Sequence, residues 1–226
     1  MEKNKVLIFF SLFFILLGCN EKDAEQSNLP YFGVHDLEIQ TDSNGKKIGA
    51  DTIYYTVPKF HMINQDSVQI THHDFENKIY IADFFFTTCP SICPAKTRQL
   101  SRIQDSLIVH SLFGNKVKLI SHTVDPDRDT PSVLKQYASI HNIDTKNWYL
   151  VTEEKEYLYR IAKEGYMATA FADEDAEGGF FHTDQFVLLD KERHIRGFYD
   201  GTDPMEVDQL WNDIQKLLEE KNTISK

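Results

Sequence analysis

Cys89 and Cys93 lie in the stretch TTCPSICPAK, with three residues between them and a proline after each. A thiol pair at that spacing serves a disulfide, a metal site or a redox couple. If both cysteines occupy the first turn of a helix, their i, i+4 relation puts the Cβ atoms on one face, roughly 5–6 Å apart. That separation suits two thiolates on one metal. It also suits a disulfide after a small local adjustment. A helix N-terminus favours anionic sulfur and lowers thiol pKa values. The spacing therefore admits both a redox pair and a metal pair, and a third ligand is needed to choose.

Nine histidines are available. His35, His61, His110, His141 and His194 read as surface or turn residues. The doublet His72-His73 beside Asp74 is a weak exposed metal site at most. His122 lies in an apolar strand and reads as a core histidine. His182, in GGFFHTDQFVLLD, stands just before a strand and is the candidate third ligand.

The compartment decides what spare thiols do. Lys3 and Lys5 precede an apolar run, Val6 to Leu17, which ends in Leu-Leu-Gly-Cys at residues 16–19. This reads as a secretory signal peptide, too short for a comfortable membrane span. Its end resembles the lipobox of bacterial lipoproteins, in which the cysteine, here Cys19, carries the lipid. Residues 1–18 are then the signal, 19–30 a polar tether, and 31–226 one domain. In an oxidising compartment the two remaining thiols are functional or bonded. The net charge of −11 argues against nucleic acid as a partner, because the chain would repel a phosphate backbone.

Positioning the thiols falls to the elements around them. TDSNGKKIG reads as a turn with Asn44-Gly45 at a hairpin tip, followed by a strand over 51–58. FHMINQDSVQITHHDF reads as strand, turn, strand and helical turn. KIYIADFFFTT is a continuous β-branched and aromatic run, the signature of a strand buried on both faces. From Pro94 to Val109 an apolar stripe of Leu100, Ile103, Leu107 and Ile108 predicts a helix. VKLISHTVD is a second central strand. Thr130-Pro131 opens a helix, NWYLVT is a strand, and EEKEYLYRIAKEG is a helix ending at Gly165. DQFVLLD and HIRGFYDG read as paired strands. Asp203-Pro204 opens a last helix with Val207, Leu210, Trp211, Ile214, Leu217 and Leu218 on one face. The order predicts an α/β, thioredoxin-like fold: a mixed central sheet flanked by helices, with an N-terminal β-hairpin extension. In such an order the loop bearing His182 packs against the cysteine turn.

Four motifs, in this order, resemble the Sco (SenC) family of copper proteins in cytochrome c oxidase assembly. They are DFFFTTCPSICP, TVDPDRDTP, WYLVTEEKE and HTDQFVLLD, within a match from about Val57 to Leu218. The resemblance implies copper, as Cu(I) or Cu(II), held by Cys89, Cys93 and His182. Together with the lipobox, it implies a lipid-anchored, extracytoplasmic protein whose partner is the copper-bearing subunit of the oxidase, with other copper chaperones or thiol reductases as further partners. Family members often carry an aspartate immediately before the histidine; this chain has Phe181. Asp125 and Asp184 are the acids placed to orient the imidazole instead. Asp125 to Asp129 also reads as a turn and cap with Arg128 paired to a neighbouring carboxylate.

A metallochaperone is the leading reading. A thiol-disulfide oxidoreductase reducing the oxidase's copper-ligand cysteines would use Cys89 and Cys93 without the histidine. A peroxidase of the same fold would need threonine and proline where this chain has Phe86 and Ala82. A copper or redox sensor would rest only on the acidic run Asp173 to Glu177.

Overall fold

The computed structural model describes residues 29–172 and 180–220. Residues 1–28, which hold the expected signal, Cys19 and most of the tether, lie outside that range, as does the acidic run Asp173 to Glu177.

A seven-stranded sheet forms the centre. β5 (Ile79–Phe85) is buried at every position, because helices and loops cover both its faces. It runs parallel to β6 (Val117–Thr123), which runs parallel to β7 (Trp148–Thr152). β3 (His61–Asn64) and β4 (Gln69–Thr71) extend the sheet antiparallel beyond β7. On the other side β10 (Gln185–Leu189) pairs antiparallel with β5, and β11 (Ile195–Asp200) with β10. The spatial order is β11-β10-β5-β6-β7-β3-β4. β1 (Asp36–Thr41) and β2 (Lys47–Ile53) make the expected hairpin as a separate ribbon, exposed at nearly every position. Gly45 takes φ +78° at its turn, a conformation that favours glycine. The strand expected over 51–58 begins earlier and ends at Ile53, and Val57 is instead buried in an irregular segment.

α1 (Ile92–Val109) and α2 (Pro131–Ile140) are the crossovers from β5 to β6 and from β6 to β7. Both therefore lie on one face of the sheet, where the Thr97 hydroxyl meets the Tyr137 hydroxyl at 2.7 Å. α4 (Pro204–Glu219) packs beside α1; Asp203 caps it by accepting from the Met205 N–H at 2.8 Å. Val207, Leu210, Ile214 and Leu217 of its stripe are buried, with Trp211 and Leu218 at the margin. Ile108, expected on the inner stripe of α1, is 49% exposed; the helix has turned that residue away by its last turn.

The opposite face carries α3 (Lys155–Arg160), which passes into a wider π-type turn at Ile161–Gly165. One continuous helix was the expectation here. The Tyr166 N–H reaches back to the Ile161 carbonyl at 2.9 Å, and the Ala168 N–H to Ala162 at 2.9 Å. This widening sets the Tyr166 ring against Phe84 and His122. β8 (Ala170–Ala172) and β9 (Phe180–His182) form a short ribbon that periodicity did not reveal.

Leu29 and Pro30, expected in the tether, are docked. Arg196 donates to both carbonyls, at 2.7 and 3.1 Å, and its guanidinium also pairs with Glu220 and Asp190. The folded body thus includes Leu29 and Pro30. His194, expected at a turn surface, is buried against Asp190 at 3.1 Å.

His122 is a core residue, as its strand suggested. Its Nδ1 faces the Asp83 carbonyl at 3.2 Å, its ring stacks on Phe84, and its Nε2 is buried with no hydrogen-bond partner. Burial pushes its pKa down to about 4. The folded state holds it neutral while the unfolded chain binds a proton below its ordinary value of about 6.5. Stability therefore falls as pH drops from about 6.5 towards 4, by up to roughly 3 kcal/mol from this residue. Urea unfolding of wild type and His122→Phe across that window checks this: the variant's stability should change less with pH.

Candidate metal and redox site

The site forms where β5 and β6 end. Cys89 lies in the turn after β5, and Cys93 is the second residue of α1. The expectation that both share the first helical turn is corrected. Pro90 disfavours the helical conformation for the residue before it, so Cys89 stays outside. Pro94, expected to open the helix, stands third in it; a proline in the first turn forfeits no intrahelical bond.

Cys89 then does what a capping side chain does. Ser91 occupies the N-cap position without a side-chain capping bond. The Cys93 N–H instead points at the Cys89 sulfur, 3.5 Å away, with the Ser91 hydroxyl at 3.8 Å. The positive end of the helix thus faces a sulfur able to carry negative charge. The two sulfurs are not joined in a disulfide. Cys93 is 1% exposed and Cys89 is 7% exposed. The hydrogen bond with Cys89, and then burial, push the Cys93 thiol pKa well up, while a backbone hydrogen bond at Phe86 and then the Lys96 charge pull it down.

Asp129 fixes this turn. It is wholly buried, and its carboxylate accepts from the Thr87 N–H at 3.1 Å, the Thr87 hydroxyl at 2.5 Å and the Thr123 hydroxyl at 2.5 Å. Thr87 is two residues before Cys89, and Thr123 closes β6. Asp125 donates its N–H to the same Thr123 hydroxyl at 3.0 Å. Its own carboxylate lies 3.5 Å from the Arg128 guanidinium. Burial, followed by the Asp129 charge, raises the Asp125 pKa, and Arg128 opposes both. Asp184, the other acid suggested for orienting the imidazole, is exposed; its backbone carbonyl accepts from Gly201 at 2.9 Å.

Lys96 has no exposed surface. Its ammonium donates to the carbonyls of Phe84, at 2.9 Å, and Thr183, at 3.1 Å, and lies 3.8 Å from the Asp83 carboxylate. Sequence reading missed Lys96, although its phase was visible: it stands four residues before Leu100, on the inward stripe of α1. It also missed the role of Asp129, which reads locally as a cap.

The backbone of His182 ends β9 and pairs with Ala170. The side chains of Phe181 and His182 lie outside the described part of the structure. Their neighbours are placed on both sides. Phe180 packs its ring on Phe86 at 5.2 Å, and Thr183 gives its carbonyl to Lys96. The segment bearing His182 is therefore attached to the residues just before Cys89 and just after Cys93. A different cluster, Asp190, Glu192 and His194, also converges within metal-binding distance. Arg196 already supplies a cation to Asp190 there, at 3.1 Å, so that cluster reads as a structural ion-pair network.

The SCO1/SenC family profile matches residues 50–219. The chain belongs to the SCO1/SenC family. Among solved structures, a SCO1/SenC family lipoprotein from Bacillus anthracis is 27% identical, with a TM-score of 0.66, over 73% of this chain and 95% of that one. BsSco, a member of the Sco family of cytochrome c oxidase assembly proteins in which a disulfide switch was identified, is 26% identical, with a TM-score of 0.64, over 74% and 95%. The copper-bound ScoI of Arabidopsis thaliana, 24% identical over 74% of this chain and 100% of that one, shares the fold at a TM-score of 0.61. The thioredoxin-like fold expected from the element order is thus shown for this SCO1/SenC chain.

Replacing Asp129 with alanine strands three donors, the buried Thr123 hydroxyl and the half-buried N–H and hydroxyl of Thr87, at a cost of about 3 kcal/mol in unfolding free energy. It should also loosen the turn, so that iodoacetamide reaches Cys93 at least about tenfold faster in the folded state. Denaturant unfolding and timed alkylation with mass spectrometry measure both; in wild type, Cys89 should be labelled before Cys93.

Proposed function

We propose that this protein is a copper carrier that holds its cargo through Cys89, Cys93 and His182 and delivers it to the dinuclear copper centre of cytochrome c oxidase. The observation that carries this reading is the double attachment of the His182 segment to the cysteine turn. Soft thiolates suit Cu(I), and an added imidazole also makes a workable Cu(II) site. Three protein ligands leave a coordination position open, which a protein that hands its metal on requires. A zinc structural site would want a fourth ligand. The copper-bound and oxidase-assembly proteins among its structural neighbours support the same reading.

Oxidation of Cys89 and Cys93 to a disulfide would remove both thiolates and stop copper binding, so thiol state gates loading. The contact between the Cys93 N–H and the Cys89 sulfur, 3.5 Å, favours a second reading. In it the pair exchanges disulfides with the oxidase's copper-ligand cysteines and needs no histidine. Attachment of Cys19 to lipid on the extracytoplasmic face of a bacterial membrane completes the proposal. Among the described residues no helix is long and apolar enough to cross a membrane.

The test is a Cu(I) titration of the reduced protein against a chromophoric chelator, with His182→Ala beside wild type. One tight equivalent in wild type, weakened at least about tenfold in the variant, is expected for a three-ligand site. Equal, weak binding in both would leave the disulfide-exchange reading.

A further inference from the structure

The buried Lys96 is a strong charge in an expensive place. A lysine with no exposed surface persists only when its charge is paired and its N–H groups are bonded. Its three donors face three groups: the Phe84 carbonyl at the end of β5, the Asp83 carboxylate beside it, and the Thr183 carbonyl after β9. Its stem runs beside the Phe186 ring, with the nitrogen 5.6 Å from the ring centre. The ammonium therefore joins α1, β5 and the segment after β9 at one point.

Thr183 is the residue after His182, and its backbone is held at both ends. Its N–H donates to the Thr169 carbonyl at 2.9 Å, and its carbonyl receives Lys96. The first bond belongs to the ribbon itself. The second ties the ribbon to the helix that carries Cys93, three residues away. A ribbon of two three-residue strands has little stability of its own.

We infer that Lys96 is a positioning residue that latches the His182 segment onto the cysteine helix, fixing the imidazole relative to the two sulfurs. The copper part of this inference rests on the ligand set proposed above; the latch itself does not. Without Lys96 the body stays folded, but the ribbon detaches more often and the two thiols lose their third ligand. The residue acts through His182, so its effect on copper should vanish when His182 is absent.

The experiment compares Lys96→Met with wild type. Because the single change removes the Lys96 charge beside the buried Asp83 carboxylate, Lys96→Met/Asp83→Asn is made as well and keeps the test open if the single variant does not fold. In the reduced, metal-free protein, amide hydrogen exchange at Thr183 and across 180–182 should quicken at least about tenfold, with β6 and α4 unchanged. Unchanged exchange at Thr183 would overturn the latch, as would equal acceleration throughout the protein. Cu(I) affinity is then read in the four-way cycle with His182→Ala. Loss of about tenfold in the wild-type background and less than about threefold in the His182→Ala background is the coupling expected. Equal losses in both backgrounds would overturn action through His182. If His182→Ala alone leaves copper binding unchanged, the ligand proposal fails while the exchange result still decides the latch.

Discussion

The thiol end of this molecule depends on the Asp129 carboxylate. A buried carboxylate is costly unless donors surround it, and charge-assisted bonds are the strong kind that repay the cost. Here the donors come from two separate segments, Thr87 in the turn after β5 and Thr123 at the end of β6. Neither segment satisfies the carboxylate alone. The turn after β5 and the turn after β6 are therefore fixed together or not at all. Cys89, two residues from Thr87, takes its place from that agreement.

Around this fixed point the charges are arranged with economy. The parallel strands deliver both turns to the carboxyl edge of the sheet, the usual ligand side of such sheets. The first turn of α1 offers the Cys93 N–H to the Cys89 sulfur. Below it, Lys96 places a full positive charge within the interior of a chain whose net charge is −11. The sulfurs at this end thus lie near a helix terminus and a buried lysine in an otherwise acidic protein.

The central architecture was legible because it rests on long apolar periods. β5 and β6 read as buried strands, and α4 showed its stripe together with its Asp203-Pro204 start. The elements that were missed have no period to read. A ribbon of two three-residue strands is too short to alternate, and the π-type turn at Ile161–Gly165 differs from a helix by one residue of slippage. The displacement of Cys89 from the helix was local chemistry overlooked, since the residue before a proline avoids the helical conformation. Lys96 and Asp129 are harder cases. A charged residue on an inward stripe is visible, but its partners are 42 residues away for Thr87 and Asp129, and 87 for Lys96 and Thr183. Only the closed sheet brings them together.

The docking of Leu29 gives the molecule a polarity. Arg196, which grips Leu29 and Pro30, stands at the start of β11, level with the first residues of β5. The thiols stand beyond the last residue of β5. One strand of seven residues separates the two poles, about 20 Å at the usual rise. Glu220, at the C-terminal cap of α4, reaches the same Arg196 and accepts from the Leu29 N–H at 3.1 Å, so Leu29 and the end of α4 meet at one pole. The two buried thiols stand at the opposite pole, a strand's length from the place where Arg196 grips Leu29.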